Sequence, residues 1–185
     1  MANLAPTPIL GGYDMSFGDT CLKEVTTIAL VSLAIPLSGA QTAEKAVKSA
    51  FKLDFPTPGQ STATKTHRLI RTSPDQALLM FESDAANAEP AVQSALKGAC
   101  YTSLQTDAWV VLSLSGPRAH AALERLCPID LHDDVFPVHS AARTMMEHMG
   151  AIILRDSPET FQLLSASSSA ASFLHALETS LKYVK

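Results

Sequence analysis

The sequence predicts an α/β (α+β) fold built from two ferredoxin-like split βαβ halves that a pseudo-twofold relates. A β-branched, apolar segment followed by helical spacing of apolar residues occurs first at Thr26–Leu37 and again at Trp109–Leu114. Each half then has a turn of serine, proline and an acidic residue, at Ser73–Asp75 and at Ser157–Glu159. The order strand, helix, strand, turn, strand, helix therefore occurs twice.

The first half begins with the strand at Thr26–Leu37, which ends at a Leu-Ser-Gly triplet. A helix follows, because apolar residues then recur with a period close to one helical turn. Ser38 and Gln41 fit a capping box at its start. Two strands, His67–Thr72 and Ala77–Phe81, flank the first Ser-Pro-acid turn, and a second helix begins near position 90.

The second half repeats this order. The strand at Trp109–Leu114 ends at a second Leu-Ser-Gly triplet, and Pro117 suits the first turn of the next helix. A strand at Phe161–Leu164 and a final helix complete the half. If the halves superpose, Ser38 aligns with Ser115, and Ser73 aligns with Ser157.

One strand of the second half looks like an addition. Ala141–Met146 is expected to pair with Ala151–Leu154 across the turn at Glu147–Gly150. We therefore divide the chain into an extended N-terminal arm (residues 1–22) and a single domain (23–185). The domain consists of two pseudo-repeats, at about 23–104 and 105–185.

Two segments carry more apolar side chains than solvated segments need. The arm is too rich in glycine and proline for a regular element, and the second segment is the proline-bounded loop 128–137. We predict that both lie at a subunit interface. The alternative is that the arm folds back over the sheet edge of its own domain. The predicted interface residues are Ile9, Leu10, Tyr13, Met15, Phe17, Ile129, Leu131, Val135 and Phe136.

The composition argues against several classes of partner. The 185 residues carry a formal charge of −4 and only 6% aromatic residues, which argues against nucleic acid. The apolar run Ile28–Leu37 is shorter than the roughly 20 residues that span a bilayer. Cys21, Cys100 and Cys127 form no CxxC pair, so we expect free thiols in the reducing cytoplasm.

No catalytic motif stands out. The chain has no phosphate-binding glycine loop, no nucleophile elbow and no convincing triad. His132, Asp134 and His139 could be imagined as metal ligands, but their spacing favours polar residues of a solvated loop. We therefore predict no catalytic, cofactor-binding or metal-binding residue in this chain.

A series of short motifs in the second half carries a family resemblance. In chain order these are Ser115–Arg118, Leu126–Leu131, Phe136–Pro137, Ala142–Thr144 and the turn at Ser157–Glu159. In this order and spacing, the sequence resembles the gamma subunit of heterotetrameric sarcosine oxidase. The first half of the chain resembles that family only weakly.

The resemblance implies a fold related to the folate-binding domain of the glycine-cleavage aminomethyltransferase. It implies alpha, beta and delta subunits as partners, with FAD, FMN, NAD and tetrahydrofolate held by the larger subunits and zinc by the delta subunit. Such a complex demethylates sarcosine to glycine with oxygen and tetrahydrofolate. For this chain, the resemblance implies a non-catalytic role in assembly and stability.

Two alternatives stay open at this point. One is a stand-alone folate-binding protein of the aminomethyltransferase type, which would need a convergent pocket with an acidic group for the pterin. The other is the same subunit in a complex that oxidises a different N-methylated amine.

Overall fold

A computed structural model of the chain describes residues 7–83 and 85–184. Short 3-10 turns lie at Thr106–Ala108 and Ser167–Ser169. The helices are α1 (Ala40–Phe51), α2 (Ala85–Leu96), α3 (Ala119–Glu124) and α4 (Ala170–Tyr183). The strands are β1 (Asp14–Phe17), β2 (Thr20–Glu24), β3 (Ile28–Ala34), β4 (Ser61–Ala63), β5 (His67–Ser73), β6 (Gln76–Glu82), β7 (Tyr101–Leu104), β8 (Trp109–Ser115), β9 (Ala141–Met146), β10 (Met149–Ser157) and β11 (Thr160–Ala166).

The elements form two compact units, each with its own sheet. Of the described residues, 27–106 and 139–142 form the central unit, and 7–26, 107–138 and 143–184 form the terminal unit. The terminal unit therefore takes residues from both sequence ends of the described chain. Within the described residues, no helix is both long and apolar enough to cross a membrane.

The central unit has a five-stranded antiparallel sheet in the order β4-β5-β6-β3-β7. Alternate residues of β3, namely Ala29, Val31 and Leu33, are fully buried and face the helices. Val47 of α1 and Val92 of α2 pack against them. The helical periodicity of the sequence therefore corresponds to the faces that α1 and α2 bury.

The terminal unit has a six-stranded sheet in the order β1-β2-β8-β11-β10-β9. Leu22, Leu112 and Phe161 are fully buried on one face of this sheet, and Phe173 and Leu177 of α4 are fully buried as well. The predicted strand at Ala141–Met146 is confirmed as β9, next to β10.

The two units repeat the same hairpin. Ser73 pairs with Gln76 and Ser157 pairs with Thr160, in both cases just after a shift of register. Ser73 and Ser157 therefore hold the same topological position, as predicted. β9 also has a counterpart, because β4 lies beside β5 as β9 lies beside β10. It is not an addition peculiar to the second half.

The predicted alignment of Ser38 with Ser115 is wrong. Ser115 lies in β8 and pairs with Thr160, and the residue at that place in β3 is Ala34, which pairs with Gln76. The two Leu-Ser-Gly triplets are a coincidence, since the first follows its strand and the second belongs largely to it. The predicted capping box is also wrong. Ser38 has a φ of 73°, and α1 begins without a side-chain cap.

The prediction of an arm without strands is wrong over much of its length. β1 and β2 form an antiparallel hairpin whose register ends at the pair Phe17 and Thr20. Gly18 and Asp19 occupy the turn, and the φ of Gly18 is 63°, as tight hairpin turns beginning with glycine require. Residues 1–6 of the predicted arm lie outside the described residues.

The hairpin supplies a strand that the terminal unit needs. β2 pairs with β8 in the terminal unit, just as β7 pairs with β3 in the central unit. The order β7-β3-β6-β5-β4 of the central sheet then corresponds to the order β2-β8-β11-β10-β9 of the terminal sheet, and β1 is a sixth strand that only the terminal sheet has. The alternative in which the arm covers the sheet edge of its own domain is therefore the correct one for residues 14–24.

Candidate interaction surface

Glu24 holds the arm against β2. Its side chain is buried, and its two carboxylate oxygens accept hydrogen bonds from the backbone N–H groups of Leu10 (2.9 Å) and Gly12 (2.8 Å). The backbone N–H of Glu24 donates to the carbonyl of Tyr13 at 2.7 Å. A buried carboxylate that accepts two backbone hydrogen bonds is satisfied, and it fixes the path of the chain before β1.

Tyr13 ties the same segment to the last helix. Its hydroxyl donates a hydrogen bond to Oε1 of Glu178 on α4 at 2.7 Å. Burial, followed by the hydrogen bond to Glu178, raises the pKa of the Tyr13 phenol well above its ordinary value. Tyr13 is therefore half-buried and anchored, and is not a freely available contact residue.

Arg118 holds the hairpin turn. Its guanidinium donates to the carbonyl of Phe17 and lies 3.3 Å from Oδ1 of Asp19. Its backbone N–H donates to Oγ1 of Thr20 at 3.2 Å. Gly116 permits this close approach, because a Cβ there would lie 2.5 Å from the carbonyl oxygen of Asp19. The Ser-Gly-Pro-Arg motif, which carries part of the family resemblance, therefore holds the turn between β1 and β2 in place.

Arg155 holds the loop 128–137. This side chain is only 3% exposed, and its Nη1 donates to the carbonyls of Leu131 (3.1 Å) and Phe136 (2.9 Å). Its Nη2 donates to Oδ1 of Asp133 and to the carbonyl of Pro158. The guanidinium also lies over the ring of Phe161, 5.2 Å from its centre. The sequence analysis did not select Arg155, although a charged residue that continues an apolar strand is a signal of such a role.

The nine predicted interface residues differ in exposure. Ile9, Met15 and Val135 are exposed, and Val135 is the most exposed at 61%. Leu10, Tyr13, Phe17 and Ile129 are half-buried. Leu131 and Phe136 are buried within the terminal unit, so the prediction that these two side chains are available for docking is wrong. Arg155 is the cause, because its guanidinium binds the backbone carbonyls of Leu131 and Phe136 and so holds the loop inward.

The surface of the terminal unit carries further apolar side chains that the sequence reading did not select. Val138, Met145 and Tyr183 are exposed, and Tyr183 reaches 70%. Met145 lies on β9, where the alternation of exposed and buried side chains would have identified it.

The structure offers little support for metal or thiol chemistry. Across residues 7–83 and 85–184, no group of three or more histidine, cysteine, aspartate or glutamate side chains could hold a metal ion. His132 lies 3.6 Å from Asp134, and both are exposed on the loop, whereas His139 belongs to the central unit. Burial raises the pKa of all three cysteine thiols, which is the opposite of what an activated nucleophile needs.

Open grooves of moderate size lie in both units. A groove of the terminal unit encloses about 330 Å³ and includes Arg125, Glu147 and His175 in its lining. A groove of the central unit encloses about 390 Å³ between α1 and α2 and is lined mostly by small side chains. Of these two grooves, only that of the terminal unit brings several charged groups together.

The fold is similar to solved structures of two enzymes. A chain of the heterotetrameric sarcosine oxidase from Corynebacterium sp. U-96, in complex with pyrrole 2-carboxylate, matches with a TM-score of 0.79 and 23% identity. The match covers 93% of this chain and 90% of that chain, so the two are of similar length. The glycine cleavage system aminomethyltransferase T from Bartonella henselae matches with a TM-score of 0.62 and 15% identity, over 86% of this chain and 45% of that one.

No protein-family model and no curated protein sequence matches the chain. The α/β fold that the sequence resemblance predicts is nevertheless confirmed by the two structural likenesses. This chain has the fold of a component of heterotetrameric sarcosine oxidase and of part of aminomethyltransferase T.

Proposed function

We propose that this chain is a non-catalytic, gamma-type subunit of a multi-subunit, flavin-dependent sarcosine oxidase, where it serves assembly and stability. The observation that carries the proposal is the fold match over nearly the full length of a chain from such a complex. A fold by itself does not determine a function. The sequence motifs around Arg118 and Leu126–Leu131 point to the same family independently.

The use of charged residues in the terminal unit supports a structural role. Glu24 and Arg155 are both buried, and their hydrogen bonds go mainly to backbone groups of the arm and of the loop 128–137. A catalytic group would instead direct its polar atoms toward a pocket. These residues fix the shape of a surface, as a subunit that binds other subunits requires.

In this proposal, the partners are alpha, beta and delta subunits in the cytoplasm, and they hold FAD, FMN, NAD, tetrahydrofolate and zinc. The exposed side chains Ile9, Met15 and Val135 remain candidates for the contact with them. The complex demethylates sarcosine, or a related N-methylated amine, with oxygen as the electron acceptor.

A second candidate function is folate binding by the chain alone. The likeness to aminomethyltransferase T favours this function. Glu147 in the groove of the terminal unit is a carboxylate that could accept hydrogen bonds from a pterin. Glu147 lies exposed on a turn, however, and this gives it little of the enclosure that small-molecule sites have.

Co-expression tests the proposal. The chain is tagged and expressed with alpha, beta and delta subunits of a sarcosine oxidase from the same organism, and the purified product is assayed for sarcosine-dependent oxygen uptake. We expect a stoichiometric complex with a flavin spectrum, whereas the chain expressed alone should show no flavin absorbance. Failure of the subunits to co-purify would refute the proposal. Titration of the lone chain with tetrahydrofolate decides the second candidate.

A further inference from the structure

β7 forms a free edge of the central sheet. It is the last strand of that sheet, and no strand within the described residues pairs with its outer side. The N–H of Gln105 donates to the carbonyl of Leu30 at 2.7 Å, so the hydrogen-bonded pairs with β3 fall at Gln105, Ser103 and Tyr101. The backbone N–H and C=O groups of Thr102 and Leu104 therefore point away from the sheet.

This edge is short, but it has no charge, proline or bulge to protect it as a free strand. Residues 101–104 include no charge and no proline, and the strand has no shift of register. Tyr101 is 71% exposed and Leu104 is 41% exposed. Leu37, which follows β3 in the chain, is fully exposed as well. An uncharged edge flanked by exposed apolar side chains is a ready template for another strand.

The terminal unit shows how the equivalent edge is covered. β2 has the position of β7, and β1 pairs along its outer side. Lys23 and Glu24 of β2 bind the covering segment: Lys23 forms an ion pair of 2.9 Å with Asp14, and Glu24 binds two backbone N–H groups.

By strand register, the central equivalents of Lys23 and Glu24 are Ser103 and Leu104. Lys23 pairs with Ser113 of β8 and Ser103 with Ser32 of β3, whereas Glu24 pairs with Leu112 and Leu104 with Val31. Both equivalents are uncharged, so they offer no ion-pair partner to a charged residue of a strand that covers this edge.

The size of the edge argues against a second copy of this chain as its occupant. Two copies joined through β7 alone would contribute four residues each. A stable interface uses about 20–30 residues on each side. The edge fits a larger contact, in which the added strand is one part of an extensive interface.

We infer that the outer edge of β7 receives an extended, uncharged strand of a partner subunit by antiparallel β-augmentation. This inference rests on the proposed function, because the partner is a subunit of that complex. The outward backbone N–H and C=O groups of Thr102 and Leu104 form hydrogen bonds with the added strand. The side chains of Tyr101 and Leu104 flank it on the two faces of the sheet.

Proline substitution on the two edges tests this inference. Leu104→Pro removes an outward N–H and leaves the inward bonds of β7 and the Thr102–Glu89 hydrogen bond in place. Ala63→Pro on β4, the other edge strand of the same sheet, is the matched control, because the bond from Thr64 N–H to the His67 carbonyl puts the N–H of Ala63 on an outer edge too. We expect Leu104→Pro to lower the recovery of the complex about tenfold, and Ala63→Pro to leave it unchanged.

Amide hydrogen exchange of the wild-type complex gives a second readout that does not depend on a variant folding. The amides of Thr102 and Leu104 should exchange about tenfold more slowly in the complex than in the free chain, and that of Ala63 equally fast in both. If the wild-type chain does not co-purify, the proposed function fails. If it does co-purify but these two amides gain no protection, this inference is overturned. A dimer of the free chain that Leu104→Pro abolishes would assign the edge to a second copy and overturn it too.

Discussion

Arg71 in the central unit and Arg155 in the terminal unit hold the same position beside the irregularity of their hairpins. Each donates from Nε to the serine carbonyl of its turn at 3.4 Å and from Nη2 to the proline carbonyl that follows. Each guanidinium also lies over a phenylalanine ring, at 5.3 Å and 5.2 Å respectively. The bonds that close the turn are therefore common to both units.

The two arginines differ in what their remaining donors bind. Nη1 of Arg71 donates to the carbonyl of Pro56, and the residue is half-buried. Arg155 is buried, and it binds two loop carbonyls together with the carboxylate of Asp133. One position of a repeated motif thus closes a turn in both units and also organises a long surface loop in one of them.

Removing Arg155 should have the largest effect. Arg155→Ala leaves the buried carbonyls of Leu131 and Phe136 without a donor, so we expect the free energy of unfolding to fall by about 3 kcal/mol. Urea denaturation measures the change. Arg155→Lys should recover less than half of it, because an ammonium cannot reproduce the forked geometry. If Arg155→Ala lowered the free energy of unfolding by less than Arg71→Ala does, the additional role of Arg155 in holding the loop would be contradicted.

Gly116 offers a second contrast between the units. Its counterpart is Ile35. The backbone N–H of Gly116 donates to the backbone carbonyl of Glu159, and that of Ile35 donates to the backbone carbonyl of Asp75, which is the acidic residue of the equivalent turn. Only Gly116 has a positive φ, of 124°, and a hairpin backbone within 3 Å of where a Cβ would lie. We expect Gly116→Ala to lower the free energy of unfolding by about 2 kcal/mol, as measured by thermal denaturation. Gly150→Ala is the control, because nothing lies within 4 Å of its Cβ position, and it should be nearly neutral.

Arg71→Ala should have a smaller effect than either of these changes. Arg71 is half-buried and Pro74 is exposed, whereas Arg155 and the two loop residues that it holds are buried, so water can replace the lost donor more readily at Arg71. We expect a loss of about 1 kcal/mol in the same urea experiment. If both variants lost the same free energy of unfolding, the hydrogen bonds that close the turn, and not those that hold the loop, would account for the effect of each arginine.

The sequence predicted the parts of the fold that bury an apolar face. β3 and β8 share one alternation of buried and half-buried positions, and such strands show clearly in a sequence. β7 and β4 were missed because they are short, and segments such as Tyr-Thr-Ser-Leu carry little periodicity. The roles of Glu24 and Arg155 depend on partners 12–24 residues away in the chain, and only the folded structure brings them together.

His67 should give the smallest effect, a dependence of stability on pH that arises in the central unit. Its imidazole stacks on Phe81 and has a tilted contact with Phe51, with ring centres 5.0 and 5.1 Å away respectively. Oγ1 of Thr66 lies 2.8 Å from its Nδ1. Burial lowers the pKa of His67 below its ordinary value, so the unfolded chain binds this proton more readily than the folded chain. Stability should therefore decrease as the pH falls through the ordinary histidine range, near 6.5, and level off below the lowered pKa. Urea midpoints between pH 7.5 and 5 measure the slope, which His67→Phe should reduce and which His175→Gln, an exposed histidine of the terminal unit, should leave unchanged. An equal reduction in both variants would show that the dependence does not come from the stacked ring.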